Sequence, residues 1–257
     1  MSAIHFTDRG SGFPVVFLHG FCETHEIWNG ILPHLENSWR VLAADLPGFG
    51  KSHLPATLAS IDDVAEVIIH WLESIKINRC VMFGHSLGGY VTLAVASKKP
   101  DVLASFGLIH STAYADSEEK RLNRNRVIDF VKHHGVDPFV ESFIPPLFAN
   151  PQHHRVREIV KMGKTTSLDT LIAYTAAMRD RPERIAVLKD FAGSILLVAG
   201  KDDRLITVES VRQQALLCKR PVITVLEGVA HMGMVESETQ TVQALQSFLV
   251  EAVGISA

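Results

Sequence analysis

Short apolar segments alternate with longer segments of helical period along most of this chain, and that alternation narrows the possible folds more than any other feature. The apolar segments are rich in β-branched or aliphatic residues on both faces, as expected of parallel strands covered by helices on both sides. We therefore predict right-handed β-α-β crossovers and an α/β fold with a doubly wound, mostly parallel sheet. The predicted parallel strands are PVVFLHG (14–20), RVLAADLP (40–47), RCVMFGHS (79–86), ASFGLIHS (104–111), SILLVAG (194–200) and PVITVLEG (221–228).

Flanking signals predict one more strand and several helices. IHFT (4–7) is predicted to be an antiparallel strand that turns into the first parallel one. Ser60, followed by Asp62 and Asp63, is expected to begin a helix, since acidic residues in the first turn suit the helix dipole. Thr207 is predicted to cap a second helix, and residues 235–253 are predicted to form one closing amphipathic helix.

Residues 114–189 break this alternation. They contain no strand-like segment, only polar sequence of helical period, and an unstructured loop of this length is improbable in a compact domain. We predict a helical insertion, a cap or lid, within a core formed by residues 1–113 and 190–257. Apolar residues of the insertion are candidates for the pocket wall, although packing between lid helices is favoured for each: Phe139, Phe143, Leu147, Phe148 and Met178.

The composition argues against several classes of partner. The 257-residue chain has a formal net charge of −3, which favours neither nucleic acid nor an anionic membrane surface. Three scattered cysteines without a CxxC pair predict neither a disulfide framework nor a zinc site. Without a signal pattern or an apolar segment of about 18 residues, we expect no membrane insertion and a soluble, cytoplasmic protein. A local basic cluster is interpreted as a solvated helix face: Lys120, Arg121, Arg124 and Arg126.

The segment Gly84-His85-Ser86-Leu87-Gly88 fits the pattern G-x-S-x-G between a predicted strand and a predicted helix. A serine in so sharp a turn has a strained backbone and needs neighbours without a Cβ. The turn raises the hydroxyl above the carboxyl edge of the sheet, and the following helix directs its amides at the same place. Ser86 is therefore a candidate nucleophile, the alternative being a glycine-rich turn with a capping serine.

A serine hydroxyl needs a base that an acid holds in one tautomer, in the chain order Ser, Asp or Glu, His. His231 follows the last predicted strand, between small residues, and is the predicted general base. Asp202 and Asp203 follow the preceding strand and are both candidates for the acid.

Five motifs, in this order, resemble the α/β-hydrolase superfamily, and in particular its small serine esterases and lactonases with a helical cap. They are FLHGF (17–21), DLPGFGKS (45–52), GHSLGG (84–89), GKDD (200–203) and GVAHM (228–232). The resemblance implies Ser86 as nucleophile, His231 as base and Asp203 as acid, with Asp202 as the fallback. It also implies an oxyanion hole formed by the backbone amides of Phe21 and Leu87.

From these residues we expect a small-molecule ester or lactone substrate, cleaved through an acyl-enzyme without a metal or an organic cofactor. The same triad leaves open carbon–carbon bond hydrolysis and a cofactor-free perhydrolase-type reaction, the latter weakened because Cys22 stands where many such relatives have proline. A small-molecule sensor that retained the triad is the alternative from a different functional class. A phosphate-binding loop is not favoured, because Asp45 occupies the position of its first glycine.

Overall fold

The structure is a computed structural model and describes residues 4–254. The central element of these residues is one seven-stranded sheet. The strand order is β1-β3-β2-β4-β5-β6-β7, and the predicted mostly parallel sheet is confirmed, with β1 antiparallel to β3 at one edge. The strands are β1 Phe6–Arg9, β2 Pro14–Leu18, β3 Arg40–Ala44, β4 Cys80–His85, β5 Leu103–Ile109, β6 Ile195–Gly200 and β7 Pro221–Leu226.

Helices connect the strands and cover the sheet. They are α1 Ile61–Ser74, α2 Leu87–Lys98, α3 Glu118–His134, α4 Val136–Phe143, α5 Val156–Gly163, α6 Leu168–Asp180, α7 Ile185–Asp190, α8 Val208–Ala215, α9 Gly233–Glu236 and α10 Glu238–Val253. Short 3₁₀ helices occupy His25–Trp28, Leu32–His34, Pro100–Val102 and Pro145–Leu147.

Both predicted helix starts are present. The Ser60 hydroxyl accepts from the Asp63 amide at 3.1 Å, and the Asp63 carboxylate accepts from the Ser60 amide at 2.8 Å. This reciprocal pair satisfies two amide groups that the first turn of α1 leaves free. The Thr207 hydroxyl accepts from the Ser210 amide at the start of α8.

The prediction of one continuous closing helix is wrong. Ser237 has φ −149° and ψ 75°, outside the helical region, and separates α9 from α10. The Glu236 carboxylate turns back from the end of α9 and accepts from the amides of Ala230 and Met232, at 2.9 and 3.2 Å. These two hydrogen bonds tie the loop after β7 to the short helix α9.

The central strands are buried on both faces, which explains their continuous apolar sequence. All six residues of β4 are buried between β2 and β5. Phe17 and Phe83 are fully buried and lie with ring centroids 5.3 Å apart. Burying such a side chain stabilises the fold by about 1.5–3 kcal/mol relative to leaving it exposed. The loops at the carboxyl ends of these strands therefore start from well-packed positions.

The chain between β5 and β6 is helical, with α3 to α7 and no strand among these residues, all of which the structure describes. This segment is joined to the core where the Tyr174 hydroxyl donates to the Pro47 carbonyl at 2.8 Å. A second joint forms where the His231 amide donates to the Leu147 carbonyl at 2.9 Å. The limits of the insertion, residues 114 and 189, stay a prediction. Among residues 4–254, no helix combines the length and apolar character needed to cross a bilayer.

Candidate active site

The predicted site residues follow different strands but gather at one edge of the sheet. Parallel strands place their carboxyl ends together, and loops at that edge form the sites of open α/β sheets. Ser86 follows β4 and Leu87 begins α2, whereas Asp203 and His231 lie in the loops after β6 and β7. Phe21 lies in the loop after β2.

Ser86 occupies a sharp turn with φ 47° and ψ −110°, the strained conformation expected from its sequence context. Its amide donates to the Ile109 carbonyl at 3.0 Å, which ties the turn to the neighbouring strand. The flanking glycines are required by close approach. A Cβ on Gly84 would lie 2.3 Å from the Gly88 backbone, and one on Gly88 would lie 2.4 Å from the Leu18 carbonyl oxygen.

His231 and Asp203 form a buried hydrogen bond of 2.8 Å between Nδ1 and Oδ2. The other oxygen, Oδ1, accepts from the amides of Leu205 and Ile206 at 2.8 and 3.0 Å. Burial raises the pKa of Asp203, but His231, His110 and their hydrogen bonds outweigh it, and the pKa lies well below its usual range. A carboxylate held in its charged form fixes the Nδ1–H tautomer of His231, which leaves Nε2 free to accept a proton. Asp202, the fallback acid, is exposed.

Ser86 and His231 line the same cavity, which has a volume of about 180 Å³. Within residues 4–254 the Ser86 hydroxyl makes no hydrogen bond, to His231 or to any other group. Hydrogen bonds of this kind are often long before a substrate is bound.

The amides of Phe21 and Leu87 donate to no group of residues 4–254. Leu87 is the first residue of α2, where the helix leaves its amides unpaired and concentrates positive partial charge. The Phe21 side chain lines the cavity beside Ser86. Both amides are therefore available to a ligand, as the family resemblance implies.

A buried ion pair, not predicted from the sequence, lies behind Ser86. His85 Nδ1 lies 3.0 Å from Glu23 Oε2, and His85 Nε2 lies 2.9 Å from the His231 carbonyl oxygen. Both partners accept hydrogen bonds, so both ring nitrogens donate and His85 is an imidazolium. Burial lowers the pKa of His85, but Glu23 and the His231 carbonyl outweigh burial and raise it. Conversely, burial raises the pKa of Glu23, and His85 with the Gly20 amide lowers it overall.

His110 is a second unpredicted residue. It follows β5 at φ 50°, is fully buried, and its Nδ1 lies 3.4 Å from the same Asp203 oxygen that His231 contacts. The amides of Gly200 and Gly233 lie 3.3 Å from His110 Nδ1 and Nε2, respectively, and a backbone N–H directed at each ring nitrogen disfavours the doubly protonated ring. Burial lowers the pKa of His110 to about 4, despite the opposing effect of Asp203.

We expect His110 to make the protein less stable as the pH falls from about 6.5 to about 4. The unfolded chain binds a proton on histidine near pH 6.5 and the folded chain only near pH 4. The unfolded state therefore binds more protons between these values, and the free energy of unfolding decreases by up to about 3 kcal/mol. Urea unfolding at several pH values should show a flatter dependence in His110→Gln. His34→Gln, at an exposed position, is the control, and equal dependences in the two variants would contradict the assignment.

Two clusters among the described residues bring three possible metal ligands within 4.8 Å of one another. One is His110, Asp203 and His231; the other is His5, His25 and Asp45. In the second cluster, Asp45 accepts from Nδ1 of His5 at 3.0 Å and from Nδ1 of His25 at 2.8 Å. In both clusters one carboxylate lies beside two imidazoles. Asp203 accepts from His231, and Asp45 accepts from His5 and His25, and these hydrogen bonds account for the close approach of the side chains.

The helical segment between β5 and β6 supplies one side of the cavity. Three of the five apolar candidates, Phe143, Leu147 and Met178, line it together with Leu205 and Ile206. Phe139 stacks on Phe143 at 5.1 Å between ring centroids, and Phe148 stacks on His153 at 5.5 Å. Polar residues complete this side, and all of them come from α3 or the segment just before it: Asp116, Lys120, Asn123 and Arg124.

Comparison with known proteins agrees with this architecture. A model of the Alpha/beta hydrolase family matches residues 15–244, so the chain belongs to the alpha/beta hydrolase family. The (E)-2-((N-methylformamido)methylene)succinate hydrolase of Acinetobacter baylyi is 24% identical over 250 residues, which cover 95% of this chain and 93% of that protein.

Two solved structures are similar over nearly the whole chain. A thermophilic esterase from Thermogutta terrifontis, described with malate bound, has a TM-score of 0.93 and 26% identity, covering 98% of this chain and 94% of the other. The enol-lactonase from Burkholderia xenovorans LB400 has a TM-score of 0.89 and covers 97% of each chain, and at 18% identity it shows the fold alone.

Proposed function

We propose that the protein is a serine hydrolase that cleaves carboxylic esters or lactones through an acyl-enzyme on Ser86. The observation that carries the proposal is the buried 2.8 Å hydrogen bond between His231 and Asp203, with Ser86 and His231 opening onto one cavity. In this proposal residues 114–189 act as a cap that closes the cavity over the sheet edge.

In the first half of the reaction His231 Nε2 takes the proton of the Ser86 hydroxyl. Oγ then attacks the carbonyl carbon and forms a tetrahedral intermediate with a negative oxygen. The amides of Phe21 and Leu87 donate to that oxygen, and such donors contribute about 3 kcal/mol each to transition-state stabilisation. Asp203 stabilises the imidazolium that forms on His231 without taking its proton.

The intermediate collapses when the bond from carbon to the leaving oxygen breaks and His231 protonates that oxygen. An ester releases an alcohol, whereas a lactone keeps its hydroxyl group on the acyl chain. Water then repeats the attack: His231 takes one proton, the oxygen bonds to the acyl carbon, and Ser86 leaves with the proton from His231. The products are a carboxylic acid and the free enzyme.

Two further observations support an ester or lactone of modest size. A cavity of about 180 Å³ is smaller than the range of about 300–1,000 Å³ typical of sites for drug-sized ligands. The similar solved structures include an esterase and an enol-lactonase, and a relative of similar length is named as a hydrolase of a substituted succinate.

The proposal is tested with purified protein on p-nitrophenyl acetate, butyrate and decanoate, with δ-valerolactone measured by acid release. We expect turnover of the short esters and a falling kcat/KM for the long one, because its acyl chain exceeds the cavity. A phosphonate ester should label the enzyme stoichiometrically, and mass spectrometry should place the label on Ser86.

Two results would count against this function. No turnover of any ester or lactone, together with binding of small carboxylic acids, would favour the sensor alternative. Turnover without labelling of Ser86 would assign the chemistry to another nucleophile.

A further inference from the structure

The polar wall of the cavity carries an excess of positive charge. Asp116 is buried and is contacted by two guanidinium groups, Arg181 at 2.9 Å and Arg124 at 3.1 Å. Arg181 is itself buried, lies 3.9 Å above the ring of Tyr90 and donates to the Met178 carbonyl. The single negative charge of Asp116 thus faces the positive charges of Arg124 and Arg181. This leaves one net positive charge close to the cavity.

Lys120 is a third cation in this region, and Lys120 and Arg124 are the two of the three that line the cavity. Lys120 lies one turn of α3 before Arg124, and no carboxylate of residues 4–254 forms an ion pair with it. Arg124 uses Nε to contact Asp116, and its terminal nitrogens make no hydrogen bond within the described residues. Asn123, between them in sequence, also lines the cavity, and its side-chain amide can donate a hydrogen bond there.

The other carboxylates close to the cavity are already satisfied. Glu23 is paired with His85 and accepts from the Gly20 amide. Asp203 lies behind His231 and accepts from two backbone amides. Neither carboxylate offsets the charge of Lys120 and Arg124, so a negative group on a ligand would be attracted to the wall formed by α3.

We propose that the natural substrate carries a carboxylate group away from the bond that is cleaved, and that Lys120 and the free end of Arg124 bind this carboxylate. The substrate class is a monoester of a short dicarboxylic acid, or a lactone with a carboxylate substituent. This inference rests on the proposed function and refines its substrate. The apolar side chains Phe21, Phe143 and Met178 line other parts of the cavity and suit the short hydrocarbon chain between the two polar ends.

The test compares monomethyl glutarate with its neutral isostere, the methyl ester of glutaramic acid, by acid release at low salt. We expect kcat/KM for the charged ester to be at least about tenfold higher, and the preference to shrink in about 0.5 M NaCl, where the Debye length is only a few ångströms. Lys120→Gln should raise KM for monomethyl glutarate by about two- to fivefold, the range measured for exposed ion pairs, and reduce the preference for the charged over the neutral ester by about the same factor.

Lys132→Gln is the matched control, since it removes the same charge from an exposed position on α3 outside the cavity. Equal losses in the two lysine variants, or no preference for the charged ester, would overturn the proposed carboxylate site while ester turnover itself persists. If the wild type hydrolyses no ester, p-nitrophenyl acetate included, the proposed function fails and the substrate inference fails with it.

Discussion

Replacing Ser86 with alanine should reduce turnover of p-nitrophenyl acetate by about 10⁵-fold or more, the size of effect expected when residues act as one catalytic unit. Removal of Oγ leaves His231 with no hydroxyl to activate and no position for the acyl group. The backbone of the turn should survive, because the strained φ of 47° is held by the Ser86 amide bond to Ile109 and by close glycine contacts. The melting temperature should therefore change little.

Ser105→Ala provides the matched control. Ser105 is a buried serine on β5 whose hydroxyl donates to the Ala104 carbonyl, outside the active-site cavity. Both variants are measured for steady-state turnover and thermal unfolding. If Ser86→Ala retained activity within about tenfold of the wild type while folded, Ser86 would not be the nucleophile, given the losses expected for such residues.

Asp203→Asn should lower kcat by about 10⁴-fold, the loss expected when the acid of such a triad becomes an amide. An asparagine that keeps the two backbone bonds from Leu205 and Ile206 through its oxygen would present an NH₂ group to His231. The imidazole would then carry its proton on Nε2, where it cannot accept the proton of Ser86. The effect should appear in kcat, with folding retained.

Asp202→Asn tests the neighbouring acid in the same loop. Asp202 is exposed, and its amide, which the substitution keeps, donates to the Val229 carbonyl. We expect turnover within about twofold of the wild type, as surface substitutions away from special features rarely matter. A larger loss in Asp202→Asn than in Asp203→Asn would move the acid by one residue.

Much of the framework was predictable because its signals are local. The strained turn after β4 is specified by the five residues of the Gly-x-Ser-x-Gly segment alone. The backbone at Ser86 has the expected strained geometry. The parallel direction of the strands follows from the alternation of apolar segments with helical segments and from the crossover rules. Two acids followed β6 in the sequence, and burial, which the sequence pattern did not reveal, separates Asp203 from Asp202.

The buried contacts behind the candidate catalytic residues could not be predicted, because they join distant parts of the chain. Glu23 and His85 are 62 residues apart, and His110 and Asp203 meet only when β5 and β6 pair. One signal was present nonetheless. His19, His85 and His110 each stand at or directly after the end of a buried parallel strand, as His231 stands shortly after β7. Histidines at those ends are brought to the same edge, whatever their spacing in the chain.

Charge pattern alone also described α3 incompletely. The sequence predicts that the basic cluster is a solvated helix face, and most of α3 is exposed. Lys120 and Arg124, one turn apart, nevertheless line the cavity. Which face of an exposed helix borders a cavity depends on how the whole insertion docks, and helical period does not contain that information.

Both backbone polar groups of His231 are hydrogen-bonded, and this restricts where a substrate can enter the cavity. Its amide donates to Leu147 in the insertion, and its carbonyl accepts from the imidazolium of His85. A movement of Leu147 away from the sheet would break its hydrogen bond with the His231 amide. It would therefore alter the position of the His231 imidazole relative to Ser86. Lys120 and Asn123 are exposed and also line the cavity, so a ligand that enters beside them leaves both backbone hydrogen bonds of His231 in place.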